Sequence, residues 1–207
     1  MKLYSFPGSC GLVSNIVLEW AGEPYTVELL KKEDLHQPAY LKINPNGQVP
    51  VIDEDGWILN ENAAVLSYIA DKHPQAKLDG DGTPRGRAEV NRWLGMLNSD
   101  VHPAFKPLFG STDFLGDEKL IAKSHAVALD RLRGLFGIID KHLTGRDWLA
   151  GTTRSIADPY LFVVLTWAHF VKVDLTGYEN LKRFEAKMRT DAGVQKALKA
   201  QGLEKGH

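Results

Sequence analysis

The sequence predicts an α/β domain followed by an all-α domain, joined in one chain of 207 residues. Strand and helix patterns alternate over the first third of the chain, which is typical of a sheet covered by helices. Residues 76–83 contain two glycines and few apolar side chains, so they predict a linker. Beyond residue 84 the apolar residues recur at helical spacing, and no convincing strand pattern follows.

The first domain begins with a strand, a helix and a second strand. Lys2–Phe6 alternates as a strand does, and Gly11–Ala21 places its apolar residues on one helical face. Tyr25–Leu29 alternates again. Because a strand–helix–strand unit pairs its strands in parallel through a right-handed crossover, we expect these two strands to be neighbours.

A hairpin and a helix complete the first domain. The segments Gln48–Ile52 and Trp57–Leu59 predict two strands joined by an acidic, glycine-containing turn. A helix over residues 60–72 follows, with Asn60 as its expected N-cap. The order βαβ and then ββα predicts a four-stranded mixed sheet, and residues 1–75 form the predicted domain.

The second domain is predicted to be a helical bundle over residues 84–207. Thr83 and Pro84 have the form of a cap followed by proline at the first helical position. Ser155 and Asp158 have capping-box spacing before an apolar helix that we expect to be buried on most sides. The predicted helices are Arg85–Val101, Glu118–Leu143, Ile156–Phe170, Leu181–Met188 and Val194–Ala200.

Composition excludes several classes of function. The 25 basic and 26 acidic residues leave a net charge of −1, whereas a nucleic-acid-binding protein is usually basic. One cysteine excludes an internal disulfide and is typical of a reducing compartment. The N-terminus has no signal-peptide pattern, and no apolar run approaches membrane-spanning length. We therefore expect a soluble cytoplasmic protein with neither nucleic acid nor membrane as a partner.

The single cysteine lies where the first strand gives way to the first helix. Pro7 and Gly8 mark the turn, and Ser9 can accept a hydrogen bond from the new helix. A helix N-terminus favours a thiolate, so Cys10 is predicted to have a pKa depressed into the range of about 3.5 to 7.5. The alternative, a small buried hydrophobic residue, is equally open at this point.

Two further segments of the first domain could bind a peptide-like ligand. Pro50 cannot donate to a sheet, so it lies at a sheet edge, at a bulge or in a cis turn after Gln48 and Val49. A cis Val49–Pro50 bond would expose the Val49 backbone to an extended ligand. From the residues alone, an ordinary trans edge proline is favoured. Glu61 and Asn62 begin the third helix, where a carboxylate can bind. Taken in isolation, Glu61 is favoured to be a simple first-turn acid that complements the helix dipole.

His102 and Lys106 lie near the end of the first helix of the bundle. They could complement the negative end of that helix, or supply hydrogen-bond donors toward Cys10 if the bundle packs against the sheet. No group of histidines and carboxylates has metal-ligand spacing, so the sequence predicts no metal site.

Five stretches carry a resemblance over nearly the whole chain. They are Met1–Cys10, Ile43–Val51, Leu59–Glu61, Val101–His102 with Pro107–Phe109, and Ser155–Phe162 with Trp167 and Ala168. In this order the sequence resembles the cytosolic glutathione transferases, specifically their bacterial beta class. The resemblance implies a thioredoxin-like N-terminal domain, a helical C-terminal domain, a homodimer, and glutathione as co-substrate.

The resemblance also implies roles for particular residues. Cys10 would face the glutathione sulfur with His102 nearby, and these two are the expected catalytic residues. Val49 would pair with the cysteinyl backbone of glutathione beside a cis Pro50, and Glu61 with Asn62 would hold its γ-glutamyl carboxylate. The glutathione-binding residues expected on this basis are Ser9, Lys32, Gln48, Val49, Pro50, Glu61, Asn62 and Lys106.

The sequence departs from the family pattern at three positions. Asn62 stands where glycine or serine is usual, Gly95 where an asparagine is common, and Pro103 where a lysine commonly follows the histidine.

Three functions therefore stay open. The first is conjugation of the glutathione thiolate to small hydrophobic electrophiles. The second is glutathione-dependent disulfide reduction or peroxidase chemistry through a Cys10–glutathione disulfide. The third is a non-catalytic binding module of the same fold.

Overall fold

A four-stranded mixed sheet forms the centre of the first domain in the computed structural model, which describes residues 1–204. The strands are β1 Lys2–Ser5, β2 Thr26–Leu29, β3 Val51–Glu54 and β4 Trp57–Leu59. Their order across the sheet is β2-β1-β3-β4. β1 pairs in parallel with β2 and antiparallel with β3, and β3 pairs antiparallel with β4. The predicted βαβ and ββα units are thus confirmed.

Helix α1 (Gly11–Ala21) crosses from β1 to β2 and has the predicted bounds. It ends because Gly22 adopts a left-handed conformation with φ 71°, and the Gly22 N–H bonds back to the Leu18 and Glu19 carbonyls. Every residue of α1 except Glu19 is buried. The helix therefore has no solvent-facing stripe and is covered on all sides by other elements.

The connection from β2 to β3 contains a 3₁₀ turn (Lys32–His36) and the short helix α2 (Pro38–Leu41). The Val49–Pro50 peptide bond is cis, as the family resemblance implies and contrary to the trans form favoured by the residues alone. β3 starts at Val51 rather than at Gln48. The shorter strand follows from Pro50, which has no N–H to donate to a neighbouring strand.

Helix α3 (Asn62–Lys72) starts two residues later than predicted. The prediction of Asn60 as its cap is wrong, because the Asn60 side chain instead donates to Asn44 Oδ1 at 3.0 Å. The residue before the helix is Glu61, which has φ 66° and ψ 108°. Such a backbone is strained for a residue with a Cβ, and this strain is often found at functional sites.

The second part of the chain is helical, as predicted. Its first helix, α4 (Pro84–Met96), passes through a π-helical turn at Leu97–Val101 into α5 (His102–Ala104). Two 3₁₀ turns follow at Lys106–Phe109 and Asp113–Leu115. The remaining helices are α6 Glu118–His142, α7 Ala157–Phe170, α8 Glu179–Thr190 and α9 Ala192–Ala200.

The two parts share one hydrophobic core, and α1 lies at its centre. α1 packs against α3 in its own domain and against α7 and α9 in the second. The predicted domain boundary at residues 76–83 stays a prediction, since side chains from both sides of it enter the same core. Within residues 1–204, no helix combines the length and apolar character needed to cross a membrane.

Candidate active site

Cys10 lies between the N-terminus of α1 and the backbone of the segment before β3. It is the N-cap residue of α1, and its Sγ donates a hydrogen bond to the Val49 carbonyl oxygen at 3.3 Å. The cysteine therefore contacts the stretch that was expected to pair with a peptide-like ligand. Residues 39 positions apart in the sequence meet here.

The predicted depression of the Cys10 pKa is wrong for this structure. Burial raises the pKa of the thiol to about 12, and the negative charge of Glu61 raises it further. A hydrogen bond from the Cys10 backbone N–H acts in the opposite direction but is outweighed. Part of the residue reaches solvent, yet the sulfur lies where few water molecules could stabilise a thiolate. Cys10 is therefore a neutral thiol at physiological pH.

Neighbouring side chains hold the Val49 segment in place. The Gln48 carbonyl oxygen accepts hydrogen bonds from the Tyr40 hydroxyl at 2.7 Å and the Asn44 amide at 2.8 Å. The Gln48 side chain is exposed, Val49 is half-buried, and Pro50 is buried. These bonds fix the backbone immediately before Val49, so the Val49 carbonyl faces Cys10 in a defined position.

Asn62 joins the starts of α1 and α3. Its side-chain amide donates to the Cys10 carbonyl oxygen at 3.0 Å, and its Oδ1 accepts from the Ser14 hydroxyl at 2.8 Å. The side chain is buried and its hydrogen bonds are made within the protein. The role of Asn62 in holding a γ-glutamyl carboxylate stays a prediction, whereas Glu61 beside it is exposed.

His102 lies just after the π-helical turn, a feature that often occurs at functional sites. Its Nδ1 is 2.8 Å from the Tyr160 hydroxyl oxygen, and that hydroxyl donates to Asn98 Oδ1 at 3.0 Å. With the hydroxyl proton directed at Asn98, His102 Nδ1 carries a proton and Nε2 is the acceptor nitrogen. Burial and the charge of Lys106 lower the pKa of His102 to about 4, so the ring is neutral at pH 7.

Tyr160 is a residue of this site that the sequence did not predict. It is fully buried on α7, and its hydroxyl links His102 to Asn98 within the helical domain. Burial raises the pKa of Tyr160 above its usual value, and the negative charge of Glu61 adds to this, while a hydrogen bond with Asn62 opposes the shift. Its place in an apolar helical run predicts only a core residue, and no local pattern distinguishes it.

The other expected binding residues lie around this centre. Lys32 and Lys106 are exposed, and Lys106 is close enough to His102 to affect its charge. The Ser9 side chain is buried, 3.3 Å from the Ser5 hydroxyl, and accepts from the Gly11 N–H at 3.2 Å. Ser9 thus supports the start of α1 as expected, while its contact with glutathione stays a prediction.

Two sequence profiles match the chain. The profile of the glutathione S-transferase N-terminal domain matches residues 3–77, and that of the glutathione S-transferase C-terminal domain matches residues 85–186. Among curated proteins, glutathione S-transferase GST-4.5 of Xanthomonas campestris pv. campestris is 50% identical over 203 residues. The match covers 98% of this chain and 100% of that protein.

Solved structures agree with the profiles. A glutathione S-transferase from Xylella fastidiosa superimposes with a TM-score of 0.96 at 44% identity, covering 98% of each chain. A bacterial beta class glutathione S-transferase from Sphingomonas chungbukensis does so with a TM-score of 0.87 at 35% identity, covering 98% of this chain and 100% of the other.

The fold is therefore a thioredoxin-like domain followed by a helical domain, as the resemblance implied. This chain belongs to the glutathione S-transferase family, and its structural neighbours include members of the bacterial beta class.

Proposed function

We propose that this protein transfers the thiolate of glutathione to small hydrophobic electrophiles, with Cys10 facing the glutathione sulfur. The observation that carries the proposal is the contact of Cys10 Sγ with the Val49 carbonyl at 3.3 Å, beside the first turn of α3. A cysteine, a strand-like backbone edge and a helix N-terminus thus meet at one place. These are the features that a γ-glutamyl tripeptide thiol requires. A sphingomonad glutathione S-transferase of 34% identity has been solved in complex with glutathione.

In this proposal the first domain binds glutathione. Glu61, exposed at the start of α3, takes part in binding the γ-glutamyl group, and the N-terminus of α3 receives its carboxylate. Val49 and Pro50 align the cysteinyl backbone, with Gln48 beside them. Exposed Lys32 and Lys106 supply positive charge for the glycine carboxylate.

The neutral state of Cys10 defines its chemical role. A thiol can donate its S–H hydrogen bond to a glutathione thiolate, whereas a second thiolate would repel it. The Cys10 proton, now directed at Val49, would turn to the glutathione sulfur. Glutathione releases its thiol proton to solvent as the thiolate forms. The thiolate then forms a carbon–sulfur bond with the electrophile, and the bond from that carbon to the leaving group breaks, so the leaving group departs with the electron pair. In this proposal the neutral His102 ring serves as a hydrogen-bonding partner.

Electrophile binding is assigned to an aromatic cluster in the second domain, consisting of His102, Phe105, Phe109 and Trp167. The His102 and Trp167 rings lie 4.7 Å apart between centroids, and Phe109 packs on Trp167 at 5.7 Å. Phe109 is 42% exposed, so the cluster offers an apolar surface beside a candidate catalytic residue.

Replacing Cys10 separates conjugation from disulfide chemistry. In Cys10→Ala the glutathione thiolate loses one hydrogen-bond donor, so we expect conjugation to fall by about tenfold but to persist. Disulfide reduction that passes through a Cys10–glutathione disulfide would be abolished. The two rates are measured on the same preparations with a chromogenic electrophile and a mixed disulfide of glutathione. Loss of both activities would contradict the proposed role and favour Cys10 as an obligatory nucleophile.

Retention on immobilised glutathione tests binding itself. We expect the wild type to be retained and Glu61→Ala to be weakened by about tenfold, the effect of one charge-assisted hydrogen bond. Glu118→Ala is the matched control, because Glu118, like Glu61, is an exposed acid at the start of a helix. Failure of the wild type to bind would favour the non-catalytic alternative.

We further propose a homodimer located in the cytoplasm. Trp57 and Ile58 on the edge strand β4 are 48% and 37% exposed, and such apolar side chains are suited to an interface. The absence of disulfide-forming cysteine pairs suits a reducing compartment. Light scattering after size-exclusion chromatography gives the mass in solution, and a monomer at micromolar concentration would contradict the dimer.

A further inference from the structure

A polar side chain at the end of the last helix reaches the loop that carries Cys10. Gln201 directly follows α9 and is only 2% exposed. Its Oε1 accepts from the Gly8 N–H at 3.2 Å, across 193 positions of sequence. Its amide nitrogen donates to Ser5 Oγ at 3.3 Å and to Asn15 Oδ1 at 3.2 Å. Because the Gly8 N–H can only donate, the orientation of the Gln201 amide is defined.

The opposite side of Gly8 is held by a second residue of the helical domain. Trp167 on α7 donates its indole N–H to the Gly8 carbonyl oxygen at 2.7 Å. Gly8 has φ 75°, in the left-handed region that favours glycine. In this loop the second domain supplies a hydrogen-bond partner for both the N–H and the carbonyl of Gly8. We call Gln201 and Trp167 together the Gly8 clamp.

The clamp is continuous with the surroundings of Cys10. Ser5, which receives the Gln201 amide, lies 3.3 Å from Ser9 between hydroxyl oxygens, and Ser9 accepts from the first N–H of α1. Gly8 itself is two residues before Cys10. The loop from Ser5 to Cys10 is therefore positioned by the second domain at its middle and by α1 at its end.

We propose that Gln201 and Trp167 are positioning residues, which hold the Gly8 loop so that Cys10 meets Val49. The proposal rests on the proposed function only in assigning Cys10 to the glutathione sulfur. Without the clamp, the Gly8 N–H or carbonyl loses its partner, and the loop moves to regain hydrogen bonds with water. Cys10 then loses its contact with Val49 and gains solvent, which makes its thiolate easier to form.

Alkylation of the single cysteine tests this directly. Gln201→Met keeps the length of the side chain without its polar groups, and Trp167→Phe keeps an aromatic ring without the N–H. We expect iodoacetamide to modify Cys10 about tenfold faster at pH 8 in each variant, which corresponds to a pKa lower by about one unit. Gln195→Met is the matched control, because Gln195 lies on α9, is exposed, and donates its side-chain amide to the Arg189 carbonyl rather than to the Gly8 loop. Its alkylation rate should equal that of the wild type.

A purely structural role would give a different result. Thermal unfolding is measured for each variant, and alkylation is followed well below the melting temperature. A lower melting temperature with the wild-type alkylation rate and pH profile in both clamp variants would overturn the proposal. Alkylation requires no glutathione, so a failed clamp is distinguishable from a failed proposed function. If turnover is observed, Gln201→Met should raise KM for glutathione several-fold more than it lowers kcat, since glutathione alignment is the step affected.

Discussion

At the scale of single residues, the charge state of Cys10 is decided by its surroundings rather than by its position on a helix. The helix N-terminus and the Cys10 backbone N–H favour a thiolate, but only by a small amount. Burial and the neighbouring Glu61 carboxylate oppose it and prevail, so the pKa is raised. A cysteine at a helix start is thus a reactive thiolate only if water or a positive charge reaches the sulfur as well.

His102 makes stability depend on pH. Its folded pKa of about 4 lies below its unfolded value of 6.5, so the unfolded chain binds more protons between these values. The contribution of His102 to the free energy of unfolding is therefore fully present above pH 6.5 and is lost as the pH falls toward 4. We expect the loss at pH 5 to be about 2 kcal/mol.

Urea unfolding at pH 7.5 and at pH 5 measures this contribution. His102→Gln cannot titrate, so it should lose about 2 kcal/mol less stability than the wild type between the two pH values. The comparison with the variant is essential, because burial raises the pKa of Asp158 to about 6 and acts in the opposite direction over the same range. Equal losses in both proteins would show that His102 is not buried as a neutral ring.

At the scale of elements, helix termini explain much of the local structure. Thr83 accepts from the Gly86 N–H, as the sequence predicts. Ser155 donates from its backbone N–H and its hydroxyl to Asp158 Oδ2, which is part of the predicted capping box, but α7 starts at Ala157 and its N-cap is Ile156. Asp191, which caps α9, was not identified from the sequence. Its Oδ1 accepts from the Gly193 and Val194 N–H groups and from the Trp20 indole at 2.8 Å, while Oδ2 pairs with Arg154.

We expect Asp191→Ala to destabilise the protein by about 2 to 4 kcal/mol, since it removes a cap and leaves the Trp20 N–H unpaired. Asp117→Ala is the matched control. Asp117 caps α6 through two N–H groups and is exposed, so its loss should cost about 1 kcal/mol. Chemical denaturation of both variants gives the comparison, and equal effects would mean that the contacts of Asp191 with α1 contribute nothing.

At the scale of the whole molecule, α1 depends on both domains. It is buried against α3 on one side and against α7 and α9 on the other. We expect a fragment of residues 1–83 to lack a cooperative unfolding transition, because exposing the second face leaves several large apolar side chains in water at about 1.5 to 3 kcal/mol each. Circular dichroism during thermal unfolding compares the fragment with the full chain. A sharp transition in the fragment would show that the first domain folds independently.

The sequence alone determined the order and type of nearly every element, because amphipathic periodicity and turn residues record which side of each segment is buried. It also indicated Cys10, Val49, Glu61 and His102, since each lies in a local motif. It could not reveal Tyr160 or Gln201, whose hydrogen bonds join residues far apart in the chain.

Only the tertiary structure decided the protonation states of Cys10 and His102 and the hydrogen-bond partners of the Asn62 side chain. The physical reason is that desolvation and hydrogen-bond partners come from packed elements distant in sequence. A local pattern specifies how a segment folds, but the free energy of a charge depends on everything that replaces its water.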